Sequence, residues 1–225
     1  MTATFAIEVT RLSKRYGTTT VLDGVELSLV AGSRTALTGA NGAGKSTLLA
    51  ILSTLVSPTG GQVRIAGYDL QTQAVEVRRR IGVLGHRPML YEDLTPLENL
   101  LFFARLYGVA NPRPRAEAFL EVLGLWSRRF EPVSVLSRGY HQRLAIGRAL
   151  IHSPEILLLD EPETGLDAEG IELLDALMLR EPAFTVLAAT HRLDRIAGWA
   201  DSTANIERGR LVSHQVSAEA LAASR

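Results

Sequence analysis

Eight consecutive residues restrict the fold of this 225-residue chain more than any other stretch: Gly39-Ala40-Asn41-Gly42-Ala43-Gly44-Lys45-Ser46 fits G-x-x-x-x-G-K-[ST]. The pattern carries meaning only between a strand and a helix. Arg34 to Thr38 reads as the strand, and Lys45 to Leu55 has helical character with no breaker before Pro58. In that setting Gly39, Ala40, Asn41, Gly42, Ala43 and Gly44 turn successive backbone N–H groups inward, and the helix N-terminus adds partial positive charge where phosphates sit. Lys45 is then placed to reach the β- and γ-phosphates, Ser46 to offer its hydroxyl to Mg²⁺, and Thr47 to lie near the α-phosphate. The bland alternative, a glycine turn with a chance Lys-Ser, does not account for the strand before it and the helix after it.

A second element sharpens the reading. Ile156 to Leu159 is an apolar run of buried-strand type ending in two carboxylates, Asp160 and Glu161. In a doubly wound sheet that end faces ligand. Asp160 is expected to hold Mg²⁺ directly or through water, and Glu161 to take the proton of an attacking water as general base. By itself a strand followed by a solvated acidic turn explains these residues equally well; next to the glycine loop it does not.

Around these motifs, Phe5 to Thr10 and Val21 to Val30 alternate apolar and polar residues, as strands of an antiparallel layer do. Gln62 to Ile65 and Ile81 to Leu84 read as short strands, with Arg78, Arg79 and Arg80 at a solvated helix end between them. From Thr95 to about Leu150 the apolar spacing is helical, broken at Asn111 to Pro114 and at Glu131-Pro132. Ile156 to Leu159 and Phe184 to Ala189, separated by a helical stretch from Ala168 to Leu179, give a βαβ rhythm. Asn205 to Val212 reads as a hairpin turning at Arg208-Gly209, and Ser217 to Arg225 as a short helix or frayed end. The expected class is α/β: a P-loop NTPase core with a mixed, mainly parallel sheet and an antiparallel β layer, plus an inserted α-helical subdomain. One nucleotide-binding domain is expected over 1–225, with the helical subdomain at about 88–150.

Composition closes off other classes. Lys+Arg and Asp+Glu both number 24, so the net charge is zero, and a dedicated nucleic-acid binder needs clustered positive charge. With no cysteine there is no disulfide, thiolate metal site or cysteine nucleophile. No apolar run approaches the ~18 residues of a membrane span, and the N-terminus lacks the apolar core of a secretory signal. A cytoplasmic chain with no membrane span of its own is expected.

With Leu136-Ser137-Arg138-Gly139-Tyr140 ahead of a helical stretch from His141 to Leu150, and Asp160-Glu161-Pro162 after it, the chain resembles the ATP-binding subunits of ABC transporters. The resemblance covers nearly the whole chain, and the motifs stand in the family's order: Tyr16, the loop at Gly39 to Ser46, a linker at His86, the Leu136 signature, Asp160-Glu161, Gly165-Leu166-Asp167 and His191. It implies that a second ATP-binding domain, here a second copy of the chain, closes head to tail, with each ATP between one chain's loop and the other's signature. It implies integral membrane transporter subunits as partners and a peripheral position on the inner face of the cell membrane. Ser137 and the Gly139 N–H would then meet an incoming γ-phosphate, Tyr16 would stack on adenine, His191 would contact the γ-phosphate and orient water or Glu161, and Asp167 would lie at the dimer interface. Each has a plainer reading: Ser137 and Asp167 as helix caps, Tyr16 as a rim residue, His191 as a satisfied polar side chain.

The chain also departs from the family pattern. His86 stands where the family's linker carries Gln, and no Gln occurs from Ala74 to His141. A neutral imidazole accepts a hydrogen bond or ligates a cation, so His86 is expected to take over the contacts to water and Mg²⁺, with turnover falling in mild acid. Arg138 and Tyr140 replace the usual glycine and glutamine of the signature, while Ser137 and Gly139 are kept. Arg192 follows His191 where an acidic residue is common. The linker Gly85-His86-Arg87-Pro88, with Leu94-Thr95-Pro96-Leu97-Glu98-Asn99-Leu100, looks like the haem-exporter ATPase subunit of the cytochrome c maturation system, making haem the expected cargo. A drug, lipid or peptide is the competing cargo, and a soluble ABC-type mechanical ATPase the remaining alternative. The segment around Tyr91 to Phe103 is the expected contact for membrane subunits, with Leu100, Phe102 and Phe103 either exposed there or buried in a helical layer.

Overall fold

The computed structural model describes residues 4–178, 184–191 and 198–216. In its first half the chain forms β1 (Phe5–Tyr16), β2 (Thr19–Val30), β3 (Arg34–Thr38), α1 (Lys45–Leu52), β4 (Gly60–Ile65), β5 (Tyr68–Asp69), α2 (Ala74–Arg80) and β6 (Ile81–Leu84). Strands β1, β2, β4 and β5 make the antiparallel layer in the order β2-β1-β4-β5. The sequence reading ends the first strand at Thr10, whereas β1 runs on to Tyr16 through a bulge at Arg11 (φ 47), where the register shifts between Val9 and Leu12. The bulge resets the alternation, so Leu12 is buried and Arg11 exposed; period-two reading stops where the phase breaks. The expected helix from Lys45 to Leu55 stops at Leu52, since Ser53 caps it and Thr54 takes a positive φ of 63.

The second half forms α3 (Pro96–Leu106), α4 (Pro112–Val122), two 3₁₀ turns at Trp126–Arg128 and Val133–Val135, α5 (Arg138–Leu150), β7 (Ile156–Asp160), α6 (Ala168–Met178), β8 (Thr185–Ala189), β9 (Ser202–Glu207) and β10 (Arg210–Val216). Both expected helical breaks fall at boundaries. Pro112 opens α4 behind Asn111 (φ 51), and Glu131-Pro132 separates the two 3₁₀ turns. Thr95 caps α3 reciprocally, accepting from the Glu98 N–H at 3.2 Å while its own N–H donates to the Glu98 carboxylate at 2.9 Å. The hairpin of β9 and β10 turns at Arg208-Gly209, as read. Leu179, Arg192 and Ser217 to Arg225 lie outside the described residues. Among the described residues no helix is long and apolar enough to cross a membrane.

The large sheet has the order β10-β9-β3-β8-β7-β6 and is parallel except for β10, giving the mixed, mainly parallel sheet that the βαβ rhythm predicts. Its central strands are buried on both faces. Leu158, Leu187 and Ala189 join one core cluster with the antiparallel layer and α1, while Leu157, Leu159, Val186 and Ala188 join another with α3, α4 and α5. Alternate residues of β7 and β8 therefore feed opposite layers, which explains runs that are apolar without a gap. Because β3, β8 and β7 are adjacent and parallel, the segments leaving them emerge at one edge of the sheet. That edge holds the glycine loop, Asp160-Glu161 and His191.

Candidate nucleotide site

The glycine loop is shaped by packing before any ligand is considered. A Cβ on Gly39 (φ 141) would lie 2.2 Å from the Ile206 carbonyl oxygen of β9, and one on Gly44 (φ 112) 2.7 Å from Leu22 of β2. Neither position admits a side chain. Lys45, 6% exposed, folds its ammonium over the loop and donates to the carbonyls of Gly39 at 2.7 Å and Ala40 at 3.1 Å. Gly39, Ala40, Asn41, Gly42 and Ala43 line a cavity of about 360 Å³ with Asn205, Glu207 and Arg208. The turn joining β9 and β10 is fixed there by the Gly209 N–H donating to the Ala43 carbonyl at 2.9 Å. Sequence reasoning missed this wall: nothing in Asn205-to-Arg208 marks it, and only the pairing of β3 with β9 brings it to the loop.

Ser46, on the first turn of α1 beside half-buried Thr47, donates its hydroxyl proton to Asp160 Oδ1 at 3.2 Å across 114 residues of chain. A hydroxyl and a carboxylate oxygen are the donors a hard cation such as Mg²⁺ accepts. Among the described residues no group of three or more His, Asp or Glu side chains surrounds this point. The pair therefore suits Mg²⁺, which takes one or two protein oxygens and completes its shell with phosphate and water.

Glu161 adopts φ 51, a left-handed conformation uncommon for a non-glycine residue, held by its N–H donating to the Ala189 carbonyl at 2.8 Å. The turn aims its side chain across the edge, where Oε1 lies 2.8 Å from His191 Nε2, both groups being open to solvent. His86 and Glu161 line one cavity of about 250 Å³ together with Glu92, Arg138, His141 and Thr164. His86 thus shares a wall with the carboxylate expected to act as base, a wall that Ser46 and Asp160 do not line.

The signature segment is engaged within its own chain. Ser137 caps α5, accepting from the Tyr140 N–H at 3.5 Å. A Cβ on Gly139 would approach Asp167 Oδ2 to 3.2 Å, and one on Gly165 (φ 84) would meet the Arg138 side chain at 2.7 Å. Asp167 accepts from Arg143 through both Nε and Nη2 and from the Gly170 N–H at 2.9 Å, so it does cap α6. The Arg143 guanidinium bonded to it holds its carboxyl below the usual aspartate range. Arg143 also reaches Glu169 at 2.8 Å. Sequence reasoning passed over Arg143, a lone cation in a helix whose partner lies 24 residues on. Tyr16 stands at the β1–β2 turn, 50% exposed, with the Lys14 ammonium 4.7 Å from its ring centroid. It is outside the cavity wall, on the hairpin whose Val21 and Leu22 pack against the loop.

Comparison with known proteins agrees with this geometry. Residues 22–164 match the family described as ABC transporter. A daunorubicin resistance ATP-binding protein of Streptomyces coeruleorubidus is 39% identical over 92% of this chain and 67% of its own length. A bacitracin transport ATP-binding protein of Bacillus licheniformis is 36% identical over 92% of this chain and 68% of its own. A solved dimeric post-hydrolysis state of an ATP-binding cassette with ADP and Pi superposes with a TM-score of 0.81 at 28% identity, covering 93% of this chain and 98% of that one. A phosphate-cradling loop, a hydroxyl–carboxylate pair and a glutamate–histidine pair share one sheet edge in a chain matched along most of its length, and the chain accordingly belongs to the ABC transporter family as one of its ATP-binding, ATP-hydrolysing subunits.

Proposed function

We propose that this chain is the ATPase of an exporter for a drug-like or peptide cargo. It works as a head-to-tail pair of copies on the cytoplasmic face of the membrane, bound to integral membrane subunits. The observation that carries the mechanism is the pairing of Ser46 with Asp160 and of Glu161 with His191 at one edge. The names of the daunorubicin and bacitracin relatives favour an antibiotic-like cargo, and they lend nothing to the haem expected from the Gly85-to-Pro88 linker.

In this reading the backbone N–H groups from Gly39 to Gly44 and the Lys45 ammonium bind the phosphates, Tyr16 flanks the adenine, and Thr47 sits by the α-phosphate. Ser46 and Asp160 hold Mg²⁺, which supplies neutralising charge to the phosphates. Glu161 accepts the proton of the attacking water, and His191 holds Glu161 in place and faces the γ-phosphate. His86, across the same cavity, accepts a hydrogen bond from that water, and His86→Gln, which keeps an acceptor there, is expected to retain turnover. Ser137 and the Gly139 N–H serve the partner copy's ATP, and Asp167 lies at the interface between copies. Nucleotide favours closure because it touches both copies only when they are closed, which is the differential affinity a population shift requires. The unit is one nucleotide-binding domain, 1–225, with the helical subdomain at 88–150.

Size-exclusion chromatography of Glu161→Gln with MgATP tests the core: the variant is expected to bind ATP, stall hydrolysis and run as a dimer. Brisk turnover in that variant rejects Glu161 as the base. For the cargo, the chain co-expressed with its membrane subunits is expected to lower the accumulation of a fluorescent anthracycline in cells; accumulation indifferent to Glu161→Gln rejects a drug-like cargo.

A further inference from the structure

Among the described residues, the helical layer contains a cation with no anion beside it. Arg148, on α5, is 8% exposed, and among the described residues no carboxylate lies within ion-pair distance of it. Among the described residues its guanidinium makes one hydrogen bond, from Nη2 to the Val83 carbonyl at 2.6 Å, and its buried Nε has no acceptor. Burial lowers its pKa to about 10, so it is still charged at neutral pH. A buried cation held by one carbonyl costs more than a well-packed apolar side chain of the same size, so stability does not explain it.

Its neighbours indicate what it does. Val83 lies in β6, three residues before His86, and the strand ends at Leu84. On the other side the guanidinium carbon is 5.7 Å from the centroid of the Phe103 ring. Phe103 packs edge-on to Phe102 at 5.2 Å, and Phe102 to Tyr91 at 4.9 Å. Tyr91 is 50% and Phe102 40% exposed, Phe103 is half-buried against the helical core, and Leu100 is fully buried, so of the expected contact segment Tyr91 and Phe102 face outward while Leu100 belongs to the core. Arg148 thus sits between an aromatic cluster reaching the surface and the strand that delivers His86.

We infer that Arg148 is a positioning residue for ATP hydrolysis: it pins the end of β6 so that His86 stays in the cavity it shares with Glu161, and it joins that strand to the cluster of Tyr91, Phe102 and Phe103. The inference rests on the role given above to His86, and the two are separable by experiment. Arg148→Met keeps the volume and removes both the charge and the hydrogen bond; Arg148→Lys keeps the charge. Steady-state ATPase, thermal melting and amide hydrogen exchange are measured on both, and on Arg148→Met combined with His86→Ala. In Arg148→Met, kcat is expected to fall about tenfold with KM for MgATP unchanged, as a small displacement of a reacting group does. Amides at 84–87 exchange faster, and the melting temperature stays within a few degrees of wild type. Arg148→Lys recovers part of kcat. In the His86→Ala background Arg148→Met changes kcat no further, since both act through one group. An equal fall in both backgrounds, or unchanged exchange at 84–87, overturns the inference. Normal turnover in His86→Ala alone instead breaks the reading of His86, and the exchange rates then judge Arg148 by themselves.

Discussion

The glycine loop and the signature segment differ in how far along the chain their cationic side chains reach. At the loop the Lys45 ammonium bonds carbonyls five and six positions back and Gly44 opens α1 directly, while the packing that bars a side chain at Gly39 and Gly44 comes from distant Ile206 and Leu22. At the signature the contacts reach far along the chain, from Arg143 to Asp167 and from Arg138 across Gly165. The signature is thus braced against the start of its own α6 through Arg143 and Asp167.

Substitutions separate the two regions, and the largest effect falls on the loop. Lys45→Ala is expected to weaken MgATP binding by two orders of magnitude or more, roughly 3 kcal/mol for a charge-assisted contact in a low-dielectric site, read by isothermal titration. The fold should survive, because Lys45 gives up only two hydrogen bonds to loop carbonyls. Gly39→Ala breaks the loop differently. Its Cβ would fall 2.2 Å from the Ile206 carbonyl oxygen, at a φ of 141 that alanine does not accept. A loss of stability on the order of 3 kcal/mol is expected in urea unfolding. A Gly39→Ala variant as stable as wild type would mean that β9 yields, and that the glycine serves the ligand alone.

The bracing of the signature predicts a smaller effect. Asp167→Asn keeps the cap on α6 and discharges the partner of Arg143, whose side chain is only 7% exposed. About 1–2 kcal/mol of stability is expected to go, the lower figure reflecting solvent screening at the half-exposed Asp167. The pH dependence has a fixed sign. The Asp167 carboxyl titrates below the ordinary aspartate value in the fold, so its stabilisation is present above that ordinary value and lost as pH falls through the folded one. An acid-unfolding curve with the same midpoint in wild type and Asp167→Asn would show that Arg143 is balanced by Glu169 alone.

The same contrast explains which parts of the molecule were legible in the sequence. Motifs with short-range contacts read correctly: the loop, the Thr95–Glu98 cap, the breaks at Pro112 and Pro132 and the turn at Arg208-Gly209 all declare themselves within a few residues. Apolar runs gave β7 and β8 and their parallel setting, because burial on both faces leaves no polar position. What stayed hidden depends on distant partners. The bulge at Arg11 has no local signature, and the wall formed by Asn205, Glu207 and Arg208 follows from strand order. Arg143 and Arg148 look alike in sequence, two arginines on one helix. Only the tertiary setting gives the first two carboxylates and the second, among the described residues, none.

The smallest effect tests the same helical layer from its other end. His152, one turn beyond Arg148, stacks on Tyr107 at 3.9 Å between ring centroids and lies 3.0 Å from the Ile81 carbonyl. A carbonyl only accepts, so Nε2 carries the proton, and buried Nδ1 has no donor among the described residues. Burial, and then the charges of Arg148 and Arg115, depress its pKa below the ordinary histidine value, against the pull of the Ile81 bond. The folded chain therefore binds fewer protons than the unfolded one just below that ordinary value, and stability falls as pH drops through the window between the two. The change is expected to stay below about 1 kcal/mol. His214, also depressed by burial, adds a similar slope, so His152→Gln should flatten the melting-temperature profile between neutral and mildly acidic pH without abolishing it. A profile unchanged in His152→Gln would mean that the layer around Arg148 admits a proton at no cost, and that its missing anion is replaced by a solvation stronger than one carbonyl and one ring provide.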